Sequence, residues 1–314
     1  MSYTLNDIAL IDFGIIPTRV PGSNLALEGA WDLPKRTGKT HHVWLDERGV
    51  EAYVDTEDIR MAGRTLVLHA VIRGSSETDA MNKAYVFQDY LTSLDTLVTL
   101  ASDWGSWDVY VKEPVQMSYR GDGVLVVQVI MQEPMPDLSG GSEPDAYTLE
   151  TVLAGEQIRN VNGIDGGTFA SLGLRLIRLE DYLTRPETQA PAFTAYATEG
   201  YQLTPEGGRK MRLSFVLTAD DFTAFQTALK DLYKLLTNPG MRYLTKDGDA
   251  VAEFFVVDGF KVRQIQVAST VTALVELPVI YERMDVVGIE NPNELLDLDL
   301  VLLTDLDGET ILDL

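Results

Sequence analysis

The chain has 314 residues, of which 45% are hydrophobic and 23% charged, with a formal net charge of −23. That length suffices for two ordinary domains with two separate cores. The acidity argues against a grip on nucleic acid, which needs clustered Lys and Arg at phosphates. The absence of cysteine excludes disulfides, thiolate metal sites and cysteine nucleophiles.

Residues 1–20 lack a basic stretch followed by an apolar one, and no apolar run reaches the length of a membrane span, so neither a leader nor a membrane segment is expected. Thr65–Ile72 is rich in strand-forming residues and is broken by Gly74-Ser75-Ser76. A helix is predicted next, with Ala84, Phe87, Leu91, Leu94, Val98 and Ala101 on one face at helical spacing and Trp104-Gly105-Ser106 ending it. Extended segments are predicted at Trp107–Val111, Val115–Tyr119 and Val124–Met131, the last two joined as a hairpin by Arg120-Gly121-Asp122-Gly123. Residues 137–161, with Ser, Gly and Pro between Asp137 and Asp145, read as a linker.

The order then repeats. Met211–Leu217 alternates as a strand, and Asp220 or Asp221 is placed to cap a helix with Phe222, Phe225, Leu229, Leu232 and Leu236 on one face. Strands follow at Met241–Thr245, Ala252–Val257, Phe260–Val267 and Val271–Ile280, with turns at Lys246–Asp249 and Asp258-Gly259. Gly63-Arg64 and Gly208-Arg209 precede the paired first strands. Phe13-Gly14-Ile15 and Leu172-Gly173-Leu174 each lead towards a proline-bearing segment, at Leu33–Arg36 and Thr184–Pro186. A tandem duplication of about 7–136 and 162–286 is the resulting reading. Residues 287–314 hold acidic residues and no basic ones, and Leu300–Thr304 with Glu309–Leu312 suits a hairpin or a docking tail.

Residues that suggest chemistry are few. Gly38-Lys39-Thr40 matches the end of a phosphate loop, but Leu33 stands where that loop needs glycine. His41, His42 and His69 are the only histidines, and the adjacent pair on a strand points to opposite faces. Asp297, Asp299, Asp305, Asp307 and Glu309 supply part of a calcium loop, with leucines at its first and last ligand positions. Asp103, Asp108, Glu113, Glu253 and Asp258 could supply a glycosidase pair only through a separation that sequence does not give. Trp31, Trp44, Trp104 and Trp107 could stack on a sugar or a partner, or fill a core. No catalytic, cofactor or metal residue is assigned, and no enzyme is expected.

Gly-Arg, a strand, a helix and "NPGMRYLTKDGD", together with "FGIIPTRVPGSNLALEGAWDLPKRTGKTHHVWLDERGVEAYVD" at the front, resemble the distal tail proteins of long-tailed bacteriophages, and more broadly their tail-tube proteins. Distal tail proteins mostly pair one tube-like domain with a different outer one, whereas both halves look tube-like here. The resemblance implies an α+β, β-dominated fold. It has two tandem tail-tube-like β-barrel or sandwich domains, each with one flanking amphipathic helix. The domains are 1–136, which includes an N-terminal approach segment, and 162–286, with the linker between them and the acidic tail of 287–314 after. It implies a structural ring around a DNA channel in the virion tail, made in the host cytoplasm and touching other tail or baseplate proteins, with DNA passing unbound. Divergence of the two copies favours six chains, with three as the alternative. A carbohydrate- or partner-binding surface or baseplate module is the rival reading.

Overall fold

Apolar residues at every second position build two antiparallel sheets, each around one long two-stranded ladder. The computed structural model describes residues 2–43, 50–139, 172–181, 208–246 and 249–283, with the backbone of strands 156–160, 193–195 and 198–200. The chain divides into two compact units, Met1–Glu282 and Arg283–Leu314, and the first holds all that follows except the last residue of the final strand.

The first sheet contains β1 (Tyr3–Leu5), β2 (Ile15–Pro17), β3 (Arg64–Arg73), β4 (Val98–Ser102), β5 (Gly105–Val111), β6 (Gln116–Gly121) and β7 (Val124–Glu133), with short additions at Ile8–Ala9 and Leu27–Glu28. Helix α1 (Glu77–Ser93) lies between β3 and β4. The second contains β8 (Glu156–Asn160), β9 (Leu174–Glu180), β10 (Arg209–Ala219), β11 (Arg242–Lys246), β12 (Asp249–Phe255), β13 (Lys261–Val267) and β14 (Val271–Arg283), with α2 (Phe222–Thr237) between β10 and β11. Hydrogen-bonded order is β1-β4-β5-β7-β3-β2 with β6 on β7, and β8-β11-β12-β14-β10-β9 with β13 on β14. The same order therefore recurs strand for strand. The fold is α+β and β-dominated, and neither strand path closes on itself among the described residues.

Local chemistry explains the elements. On β3 the residues Leu66, Leu68, Ala70 and Ile72 are buried, facing Leu125, Val127, Val129 and Met131 of β7 on the same side, as a period of two requires. Met211, Leu213, Phe215 and Leu217 of β10 do the same with Val279, Leu277, Val275 and Ala273 of β14. Ser76 caps α1 by accepting from the Asp79 amide, and Asp221 caps α2 by accepting from the Ala224 amide at 2.8 Å. Gly14 (φ 72°) and Gly173 (φ 69°) both turn the chain through the left-handed region into β2 and β9.

Several expectations need correction. Helix α1 ends at Ser93, and Val98 and Ala101 lie on β4, paired with Val109 and Ser106. The β-branched residues of Val98-Thr99 satisfy their backbone in the sheet, and Trp104-Gly105-Ser106 forms the β4–β5 turn and the start of β5. On α2 Leu236 packs partly buried against the core, and its neighbour Leu235, which the helical stripe omits, is fully buried. Strand β8 pairs with β11, so part of the segment read as linker belongs to the second sheet. The two expected cores are one continuous cluster of buried apolar side chains. Trp44, the turn at 47–49, residues 140–155, Thr184–Pro186 and the tail of 287–314 lie outside the described residues. No described helix is long and apolar enough to cross a membrane.

The C-terminus of α2 accounts for part of the "NPGMR" motif. The buried guanidinium of Arg242 donates to the carbonyls of Leu235 (2.8 Å), Asn238 (2.7 Å) and Gly240 (2.9 Å), and its burial lowers its pKa to about 10.

Leu91 and Leu229 anchor the two helices within the shared core. Leu91→Asp and Leu229→Asp should each cost roughly 3–5 kcal/mol, the penalty of an unpaired buried carboxylate. Because the core is continuous, calorimetry should show one unfolding transition in each variant, displaced to lower temperature. Two separated transitions would contradict a shared core.

Candidate functional site

The residues singled out for chemistry are dispersed. Gly38 and Lys39 sit in an exposed turn between Arg36–Thr37 and His41–His42, with no helix after it to cradle a phosphate. His41 is partly buried with its ring 5.8 Å from that of Phe255, while His42 is exposed, so the pair does point apart. The His69 ring lies between Glu28 (3.5 Å) and Gln128 (3.4 Å). Asp103 accepts from the Ser2 hydroxyl and amide, which hold its pKa low, and Asp108 accepts from Thr99. Glu113 and Asp258 are exposed on separate turns, and Glu253 is on β12. Among the described residues no group of three or more His, Asp or Glu could hold a metal. Asp297 to Glu309 lie outside the described residues.

What the structure does assemble is a seam between the two sheets. The segment between β2 and β3 pairs with β3 at Leu27–Glu28 and also runs along β13, the edge strand of the second sheet. Leu33 and Phe260 exchange backbone hydrogen bonds of 3.1 and 3.2 Å. Asn24 donates its amide to Ile265 (3.0 Å), and its side chain both accepts from the Val267 amide (2.9 Å) and donates to the Val267 carbonyl (2.6 Å). Buried Asp32 accepts from the Val262 amide at 2.8 Å and lies 3.1 Å from the Lys261 ammonium. Arg263 meets Glu28 at 2.7 Å. Farther along, the Arg36 amide donates to Val257 (2.7 Å) and Val54 accepts from Gly240 (2.9 Å). At Gly259 (φ 67°) an added Cβ would lie 1.9 Å from the Leu33 carbonyl oxygen, so only glycine fits that approach.

The tryptophans face this seam. Trp31 and Trp107 are buried and edge-to-face at 5.7 Å, and Trp31 meets Phe222 (5.7 Å) and Phe225 (6.4 Å) of α2. Trp104, in the β4–β5 turn, is 4.6 Å from Phe222. Gln226 donates to the Trp104 carbonyl at 2.8 Å, and the Tyr233 hydroxyl donates to the Trp31 carbonyl at 2.5 Å. Burial raises the Tyr233 pKa and keeps the hydroxyl a donor. These three indoles are therefore seam residues and not the exposed sugar platform that the rival reading needs; Trp44 lies outside the described residues. A cavity of about 240 Å³ remains beside them, walled by Trp31, Trp107, Arg64, Glu133, Gln226 and Tyr233. Its buried Arg64 and Glu133 pair with each other at 2.5 Å, which leaves no unbalanced charge from that pair.

Among the described residues, the corresponding surfaces of the first sheet lack such a cover. No described residue pairs with the outer edge of β6, which carries Tyr119 at 43% exposure. Counted from the capping residues, Phe222, Gln226, Lys230 and Tyr233 of α2 correspond to Glu77, Met81, Tyr85 and Gln88 of α1. Tyr85 and its neighbour Val86 are each 58% exposed.

Asp32 gives the seam a pH dependence. Burial raises its carboxyl pKa against the lowering effects of Lys261 and the Val262 amide. The folded state then binds a proton more readily than the unfolded one, so this contribution to stability falls as pH rises from the unfolded value of about 3.9 through the raised one. Asp32→Asn keeps an acceptor for Val262 and removes the titration. In urea titrations, wild type should gain stability relative to Asp32→Asn as pH falls from neutral towards about 4. Asp32→Ala should cost about 1–3 kcal/mol at neutral pH because the Val262 amide loses its partner. A wild-type-to-Asn difference that does not change with pH would contradict this.

No family model matches the chain, and no curated protein does. Among solved structures, the chain is similar to the crystal structure of SPP1 Dit (gp 19.1), described as a paradigm of the hub adsorption apparatus in phages infecting Gram-positive bacteria. The two share 12% identity over 90% of this chain and 99% of that one, with a TM-score of 0.34, too low for that likeness to bear on fold or function.

Proposed function

We propose that this chain is a structural, ring-forming component of a bacteriophage tail, a distal tail, baseplate or tube protein that surrounds the DNA channel and joins tail parts. The observation that supports it best is the seam: two sheets of the same strand order meet through unlike faces, a segment of one covering the edge of the other. Unlike faces that bind within a chain can bind again between chains, and such heterologous contacts close into rings. In this reading the two sheets are tandem tube-like repeats. The sequence resemblance to distal tail and tail-tube proteins supplies the place of assembly, and the acidic segment 287–314 is a tail that docks on a neighbour or on another tail component.

The net charge of −23 has a use in that setting. DNA moving past carboxylates finds no cations to replace its counterions, so it passes without sticking. The role is structural and not catalytic, and the mature protein resides in the virion. Repeating the seam between chains puts both repeats around one ring and favours three chains. Six chains, with one repeat inside and the other outside, is the arrangement that divergence of the copies favours.

Light scattering on concentrated protein should give a mass of three or six chains of 34.8 kDa. Fluorescence anisotropy with duplex DNA should show no binding even at about 10 mM salt, where phosphate contacts are strongest. A monomer at high concentration, or tight salt-sensitive DNA binding, would overturn the reading.

A further inference from the structure

Each sheet leaves the same strand at its edge, but the chain treats the two edges differently. The outer groups of β13 are met by Asn24 and Asp32, and Leu33 pairs with Phe260 just before the strand. The outer groups of β6 have no described partner. An open edge with unpaired backbone groups is a template for another strand. Likewise the α2 face bearing Phe222, Gln226 and Tyr233 is covered by Trp31 and Trp104, while on the counterpart face of α1 Tyr85, at the position of Lys230, is exposed and Met81 is partly buried against the core. Aromatic side chains in such positions are those that dominate interfaces.

We propose that the β6 edge and the Met81–Tyr85 face of α1 form one docking surface, and that its occupant is residues 182–207 of a second copy of this chain. The inference rests on the ring reading above. Residues 182–207 hold the place between β9 and β10 that the covering segment holds between β2 and β3. They include the extended pair Phe193–Ala195 and Thr198–Gly200. Their charges are Arg185 against Glu187, Glu199 and Glu206, whereas β6 carries Arg120 and no acid. The contact copied is one between unlike faces, which passes from one copy to the next.

The test is sedimentation equilibrium on the full chain, with hydrogen exchange at the amides of residues 116–121 over a concentration series. Tyr85→Glu with Tyr119→Glu should weaken self-association by about tenfold or more, as loss of interface tyrosines does. Ile11→Glu, at an exposed position outside the surface (62%), should leave it unchanged. In wild type, exchange at 116–121 should slow as concentration rises, a readout that needs no variant. If wild type assembles while the double variant assembles equally well and exchange at 116–121 does not depend on concentration, this docking surface is overturned and the ring reading stands. A wild-type monomer at every concentration overturns both. Protection of 116–121 in that monomer would identify the segment's own chain as the occupant.

Discussion

An edge strand must have partners for its backbone or remain open to any strand that offers them. In this protein the edge of β13 is closed by a segment that begins more than two hundred residues earlier in sequence. The closure uses backbone pairing at Leu33 and side chains that imitate backbone at Asn24 and Asp32. Everything else at the seam follows from it. Once the segment lies along β13, Trp31 is delivered to α2, and Trp104 and Trp107 close around it. The cores of two similar sheets then become one.

This arrangement changes what the helices do. An amphipathic helix on a sheet needs one apolar stripe. Helix α2 uses Phe225, Leu229 and Leu232 as that stripe, and Phe222, Gln226 and Tyr233 as a second contact face. Helix α1 has the first stripe, through Ala84, Phe87 and Leu91, and on its other side meets solvent at Tyr85 and Val86. Two helices built to the same plan thus differ in whether their outer face is occupied. That difference, and the matching one between β13 and β6, gives the molecule one satisfied contact and, among the described residues, one open copy of it.

Local features were legible in the sequence and long-range ones were not. The strand-forming run of β3, the alternation of β10, a cap at Asp220 or Asp221 (Asp221 in the structure) and the Arg120–Gly123 hairpin each depend on neighbours in sequence. The helical spacing of Val98 and Ala101 misled because a strand can place apolar residues at the same positions, and only pairing with β5 decides. Strand β8 was hidden by its shortness beside a Gly- and Ser-rich stretch. Asn24 and Asp32 look like ordinary loop residues, since nothing near them announces partners at Val267 and Val262. The tryptophans signalled importance without direction: an indole that fills a seam and one that binds a sugar look alike in sequence.

A molecule with one satisfied contact and one open copy of it should continue the contact to closure. Electron microscopy of the purified protein at high concentration tests this most directly, because closure is seen and not inferred. The account predicts closed rings around a central channel, with subunits joined head to tail. Isolated particles, or two-fold dimers joined through like faces, would contradict it.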